Sequence, residues 1–322
     1  GLNFTSRFTW MQTNYMQRYW RPQRTEIGKP NLTNELYYSN YREPQWDWEN
    51  TLTYDRIFGK HTMGLMASTT ASQYSYRFND ATMRGFENEI NSMMYFANGT
   101  QVINPNDKYY KDRNVSYVAR GAYSFADRYF VTASLRRDYA SRLPKGKKYG
   151  DFPSVTAAWK LTSEPWFKKN SILNVLKLRA SWGQNGSLSA LSGYAYSTDM
   201  VQSGFYPFTS GINYVRGVSP STMGNEDLKW ETSEQTNIGV DTYLFNSRLS
   251  LSVDYFNKKT KDLLIWNTTP SLEIGGKTSP INAGNVSNKG VEFEVGWRDQ
   301  IKDFTYGIRA NLATISNKVT YI

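Results

Sequence analysis

In the run Val291-Glu292-Phe293-Glu294-Val295-Gly296-Trp297-Arg298, every second residue is apolar and the residues between are charged or glycine. Side chains on a strand alternate between its two faces, so this segment has one greasy face and one wet face. The same alternation sets Val115, Tyr117, Ala119, Tyr123 and Phe125 against Asn114, Ser116, Arg120 and Ser124, and Val155, Ala157, Trp159 and Leu161 against Ser154, Thr156 and Lys160. Strands of this kind form antiparallel sheets with one dry face, which rests on a soluble core or against lipid.

The periodicity predicts an all-β chain of about eleven strands, at residues 2–11, 45–57, 60–78, 113–126, 128–141, 152–162, 175–183, 227–244, 249–266, 288–299 and 304–316. Short links at Gly59, Asp127, Asn246-Ser247 and Gln300-Ile301-Lys302 alternate with long ones at 12–44, 79–112, 142–151, 184–226 and 267–287, and the link at 163–174, intermediate in length, falls in the short series. That parity is how an antiparallel transmembrane β-barrel distributes tight periplasmic turns and long extracellular loops, and a sandwich has no reason to keep it. Crossing a bilayer takes about nine to eleven tilted residues, so the longer strands are expected to rise above the outer surface. Lys258, Lys259, Lys261 and Arg137 interrupt the alternation toward the long-loop ends, where water or headgroups receive them. An odd strand number fits no closed bacterial barrel, because an open edge in lipid leaves backbone groups unpaired. The expectation is therefore a barrel segment with strands missing, spanning 1–322 as one partial domain.

Composition narrows the alternatives. Hydrophobic residues make up 39% of the 322, the mean hydropathy is −0.63, and no apolar run of about eighteen residues exists to form a membrane helix. Aromatics reach 16%, with 24 Tyr and 10 Trp, which suits interfacial girdles as well as an aromatic-rich sandwich. Cysteine is absent and His61 is the lone histidine, so a thiolate or histidine metal site, a cysteine nucleophile and a serine triad are not expected. The formal charge of +10 attracts anions such as lipopolysaccharide phosphate, an anionic substrate or an acidic partner, and no nucleic-acid motif accompanies it. Asp47, Glu49, Asp55, Lys177, Arg179, Glu292 and Glu294 share the polar parity and would line a lumen. Carboxylate pairs at such spacing imitate a glycosidase site, but every strand of a polar-lined barrel offers them, so no catalytic residue and no cofactor are assigned.

The long loops carry Trp20, Tyr37, Tyr38, Tyr194, Tyr196, Phe205, Tyr206 and Phe208. Aromatic faces of this kind either grip a substrate at a rim or pack the loops on one another. Phe86, Ile90, Met93, Met94 and Ala97 fall at helical spacing, which predicts a short amphipathic helix in the second long loop.

Four stretches carry a resemblance. Residues 225–239, Asn225-Glu226-Asp227-Leu228-Lys229-Trp230-Glu231-Thr232-Ser233-Glu234-Gln235-Thr236-Asn237-Ile238-Gly239, precede a tight turn and the strand from Ser252 to Leu264. Arg137-Asp138-Tyr139 leads to Asp151-Phe152-Pro153-Ser154, Leu176 to Gly183 follows, and Asn288-Lys289-Gly290-Val291-Glu292 comes last. In order and spacing these resemble the SusC/RagA-type TonB-dependent outer-membrane transporters of Bacteroidetes. The resemblance implies a 22-stranded barrel, of which this chain is about half the wall. It implies a plug, a TonB box, an N-terminal regulatory-like domain and closing strands outside the chain, with TonB acting through that N-terminal region. It further implies residence in the outer membrane among lipid and lipopolysaccharide. The expected function is import of a large nutrient, oligosaccharide or peptide, with a SusD-like lipoprotein, and the apolar stripe of the loop helix with Phe86 and Met93 is either local packing or a docking surface for that lipoprotein. The alternative is a structural or docking component of a surface-protein assembly or export complex.

Overall fold

In the computed structural model, residues 1–168, 172–207, 214–266 and 277–321 are described. Eleven strands form one sheet: β1 (Leu2–Arg21), β2 (Glu35–Phe58), β3 (His61–Arg84), β4 (Gln101–Phe125), β5 (Tyr129–Ala140), β6 (Tyr149–Lys160), β7 (Leu173–Ser187), β10 (Glu231–Leu244), β11 (Leu249–Lys261), β15 (Asn285–Ile301) and β16 (Phe304–Tyr321). Each lies beside its predecessor in this list, with β1 and β16 at the two edges. The chain divides into two compact units, one of Gly1–Thr5, Asn50–Thr69 and Val115–Ile322, the other of Ser6–Glu49 and Thr70–Asn114.

Tight connections recur at β2–β3, β4–β5, β10–β11 and β15–β16 as expected, but the β6–β7 connection at 161–172 is longer than the β5–β6 connection at 141–148. Local chemistry explains the tight ones. Ala126 and Asp127 take left-handed φ of 53° and 54° between Phe125 and Arg128, and the Arg128 N–H donates to the Phe125 carbonyl at 3.0 Å. Left-handed residues match the twist of a two-residue hairpin. Phe245, Asn246 and Ser247 repeat the device at φ 55–64°, with the Ser247 N–H donating to Asn174 Oδ1 at 2.9 Å.

In the first unit the register resolves the two faces. Trp159, Leu178, Val240, Val253, Phe293 and Leu312 stand opposite one another across six strands, and Ala157, Ala180, Ile238, Tyr255 and Val291 form the next row. The reverse face carries the row Arg179, Gly239, Asp254, Glu292 and the row Lys160, Lys177, Asp241, Ser252, Glu294. Large apolar side chains on the first face are open, Phe293 at 47% and Val253 at 37% exposure, so this sheet face has no protein layer over it among the described residues. Toward the tight turns, Tyr129 and Trp159 stack at 6.3 Å. Their polar ends meet Glu164 in the β6–β7 connection, the Tyr129 hydroxyl at 2.5 Å and the Trp159 indole N–H at 2.9 Å. These two donors, with Arg128 at 3.5 Å, hold the Glu164 carboxyl below its ordinary range. Aromatic rings with one wet end suit a membrane interface.

Several boundaries differ from the sequence reading. Residues 12–21, 35–44, 79–84 and 101–112 are strand rather than loop. They belong to the second unit, where neither face is continuously apolar, so the period-2 signal fades although the backbone ladder continues. The strand expected at 249–266 stops at Lys261, where Asp262 turns left-handed at φ 56°. Its tail, β12 (Leu264–Trp266), pairs with β14 (Pro280–Asn282). Within the long connection at 184–226, β8 (Asp199–Pro207) and β9 (Tyr214–Met223) make a ribbon that β13 (Lys277–Thr278) joins in parallel. The amphipathic helix is absent. Asn91–Met93 and Phe96–Asn98 are separate single 3-10 turns. Phe86 and Met94 are buried, while Ile90 and Met93 stay 61% and 46% exposed. Three-residue turns nucleate no helix, because each fixes several dihedrals for one hydrogen bond.

Candidate functional site

Function in such a fold concentrates where the long connections gather. In the first unit, these connections share a core of Ala140, Leu143, Leu188, Leu191, Leu228 and Leu264, with Tyr196 and Trp230 packed against it. Leu228 and Leu143 are fully enclosed at 0% exposure.

The Asn225–Glu231 motif builds that core through its own hydrogen bonds. Asn225 Oδ1 accepts the Asp227 N–H at 2.9 Å, an Asx turn that points Leu228 inward. The Asn225 amide also donates to the Pro280 carbonyl at 2.9 Å. Asn282 exchanges bonds with the Lys229 backbone at 2.8 and 3.0 Å and reaches the Asp262 carbonyl at 2.9 Å. Lys229 pairs with Asp262 at 3.0 Å and Lys147 with Asp227 at 2.8 Å. The Lys147 ammonium lowers the Asp227 carboxyl pKa. Glu231 Oε2 accepts the Leu264 N–H at 3.3 Å. One heptapeptide thus fastens three chain segments, at Lys147, Asp262–Leu264 and Pro280–Asn282, that come from two other connections.

The Phe152-Pro153-Ser154 motif meets it directly. The Phe152 and Trp230 rings lie edge to face at 5.6 Å. Gly150 and Gly186 flank Phe152 so closely that a Cβ on either would strike the ring, which explains both glycines. Ser154 bonds Ser134 at 2.7 Å across β5 and β6. Thr236, Asn237 and Gly239 continue β10, and Gly239 makes room for Asp254 and Arg179. Gly290 likewise lies against Phe256 and the Thr314 carbonyl, while Asn288 accepts the Asn317 amide at 2.5 Å. Lys289 and Glu292 lie on opposite faces of β15, Lys289 beside Asn257 and Glu292 beside Asp254.

On the polar face Arg179 holds two carboxylates, Asp241 through two bonds at 2.7 and 2.8 Å and Asp254 at 2.9 Å, with Ser252 joining at 3.2 Å. The fork geometry fits a bidentate guanidinium. Among the described residues no cluster of three metal-binding side chains occurs.

The second unit has its own aromatic grouping. Trp20 packs on Leu36, Met83 and Phe86, with the Trp20 and Phe86 rings at 5.0 Å. Asn34 clamps Phe86 through its backbone N–H and C=O, both at 2.8 Å. Tyr38 meets Phe96 edge to face at 5.9 Å, and Tyr37 is half-buried. Glu43 accepts the Tyr41 hydroxyl at 2.5 Å and the Tyr74 hydroxyl as well. That bond and burial push Tyr41 up to about 12, and burial and Glu43 raise Tyr74. Both tyrosines lie more than eleven residues from the β2–β3 turn, beyond the reach of a bilayer crossing.

Of the aromatic candidates, then, Trp20 of β1 and Phe86 just past β3 belong to a core shared with Leu36 of β2 and Met83 of β3. Tyr194 bonds Ser141 at 3.2 Å and stands edge to face with Tyr196 at 6.0 Å. Phe205 and Tyr206 have their backbones in β8, their side chains lying outside the described set, and Phe208 lies outside the described residues altogether. The Glu43–Tyr74 contact and Asn282's role escaped sequence reading, since nothing local to either residue names its distant partner.

The whole chain, residues 1–322, matches the family described as TonB dependent receptor-like, beta-barrel. It is 32% identical over 326 residues to TonB-dependent receptor P3 of Formosa agariphila, which covers 99% of this chain and 31% of that protein. It is 33% identical over 215 residues to TonB-dependent receptor SusC of Bacteroides thetaiotaomicron, 66% of this chain and 21% of SusC. The fold matches the RagAB peptide importer in its closed-closed state with a TM-score of 0.87 at 25% identity, over 100% of this chain and 35% of that one. The chain spans about a third or less of the length of these relatives. Its bare apolar sheet face and its parity of turns are those of a membrane barrel wall, and the chain belongs to the TonB-dependent receptor-like β-barrel family, a family of outer-membrane receptors and transporters.

Proposed function

We propose that the chain forms an arc of the wall and the outer rim of an importer for a large nutrient, an oligosaccharide or a peptide. A plug and TonB box elsewhere in the whole protein would gate the lumen, and a SusD-like lipoprotein would cover the rim. The observation that carries this reading is the asymmetry of the sheet. Its rows are apolar on one face and charged on the other, and the elaborate connections with their own core gather at one end. The relatives support the reading, SusC as a TonB-dependent receptor and RagAB as a peptide importer. The tight turns then face the periplasm and the long connections face outward, where a basic surface meets lipopolysaccharide phosphate.

Two measurements test this. In the source bacterium, deleting the whole receptor is expected to abolish growth on one class of oligosaccharide or peptide as sole carbon source and to spare growth on its monomer. An uncoupler should stop uptake equally. Unchanged uptake with loss of surface proteins would replace import by the docking role. Separately, Lys145→Cys is expected to react with an impermeant maleimide on intact cells, and Asn246→Cys only after lysis. Reversed labelling would invert the topology.

A further inference from the structure

In the first unit, the apolar rows of the sheet give way toward the long connections to a group of lysines on the same face. Lys259 of β11 stands opposite Ser287 of β15, which stands opposite Lys318 of β16, and Lys289 lies one row below, between Asn257 and Ser316. We propose that Lys259, Lys289 and Lys318 bind the phosphate of an outer-leaflet glycolipid, the lipid A of lipopolysaccharide, a site that rests on the reading above that the long connections face outward.

The three lysines keep the parity of Val253, Phe293 and Leu312, so they lie on the lipid side of the sheet. Their height fits a headgroup. Ten residues separate Leu249 from Lys259 along β11. At a rise of about 3.3 Å per residue and a tilt of about 40°, that is about 25 Å along the membrane normal, the height of the apolar band of a barrel. Trp182 stands in the row of Lys289 and Tyr255 in the row beneath it, where the outer aromatic girdle belongs.

The charges are placed to share one anion. Strand spacing puts Lys259 and Lys318 about 10 Å apart at Cα, with Lys289 between them, so extended side chains converge over Ser287. All three are exposed and have no ion-pair or hydrogen-bond partner among the described residues. Glu234, opposite Lys259, is the one carboxylate in these two rows from β7 to β16. Its oxygens are engaged by Lys261 at 3.2 Å and by the Trp182 indole N–H at 3.3 Å. Neighbouring ammonium groups repel one another, and a phosphate between them accepts charge-assisted bonds from each. Below the lysines the same face is open and apolar at Val253, Phe293 and Leu312. An amphiphile covers both regions, its phosphate on the lysines and its acyl chains on the rows beneath, whereas free phosphate leaves the apolar rows bare. A zwitterionic headgroup brings a cation of its own to a patch that already has three.

The test uses the whole receptor, purified in mild detergent and titrated in native mass spectrometry with lipid A and with dephosphorylated lipid A. Lipid A is expected to bind, and combining Lys259→Gln, Lys289→Gln and Lys318→Gln should weaken it tenfold or more. The same three positions changed to arginine, and Lys145→Gln at an exposed site elsewhere, should bind as the unaltered receptor does. Removing the phosphates from the lipid should cost the unaltered receptor tenfold or more and the triple glutamine variant little. Heat-modifiable migration establishes that the variants fold. Equal lipid A affinity in the receptor and the triple glutamine variant, or no loss on dephosphorylation, overturns the site. Displacement of lipid A by millimolar inorganic phosphate assigns the lysines to free phosphate and overturns the lipid assignment. Binding in detergent depends on neither uptake nor orientation in a membrane, so failure of this site and failure of the importer reading are separate results.

Discussion

Leu228→Ala is expected to destabilise the clamp over the long connections by about 2–5 kcal/mol. The side chain is fully enclosed among Leu143, Leu188, Leu191 and Leu264, and those residues come from connections tied together by Asn225 and Asn282. They cannot close on the vacated space without breaking those bonds. The strands beneath stay paired through their own ladders. The damage should therefore appear first as faster cleavage of the long connections by added protease on intact cells, and then as a lower melting temperature of the folded, fast-migrating form. Trp230→Phe should cost much less, because the Trp230 indole nitrogen is buried with no acceptor among the described residues and phenylalanine removes that unmet donor. If Leu228→Ala is cleaved at the rate of Lys145→Ala, an exposed control, the clamp contributes nothing.

Val253→Arg should be the most damaging change on the sheet itself, at about 2–4 kcal/mol near the bilayer midplane. Val253 lies mid-strand in the row with Val240 and Phe293 and is open on its outer side. In water an open valine accepts arginine at almost no cost. In hydrocarbon the guanidinium must snorkel or drag water inward. Glu292→Arg is the matched control, one residue from Phe293 on the reverse face and opposite Asp254, where a cation gains a partner. The readout is the fraction of receptor that reaches the outer membrane in heat-modifiable form. Equal yields for both variants would place water on both faces and remove the membrane reading of this sheet.

The amino-acid sequence by itself determined the eleven-stranded sheet, its register of faces and the parity of its connections. Each of these rests on neighbours close in the chain. Alternation such as Val291-Glu292-Phe293 fixes which face a residue takes, and left-handed pairs such as Ala126-Asp127 fix where a hairpin turns. The family motifs were legible as well, though their purpose was not. Only the tertiary structure brought Phe152 against Trp230 and closed Leu228 beneath Leu143. It also extended β1 to β4 through 12–21, 35–44, 79–84 and 101–112, where no apolar face marks the strands. Helical spacing from Phe86 to Ala97 misled because Phe86 and Met94 are buried by two separate turns rather than by one helix face. The depression that Tyr38, Asn79 and Asp107 line depends on three strands and a turn drawn from positions 38 to 107. Periodicity reports the face a side chain takes, and a pocket depends on which distant side chains share it. That is decided by strand pairing and loop closure, over separations at which local pattern carries no information.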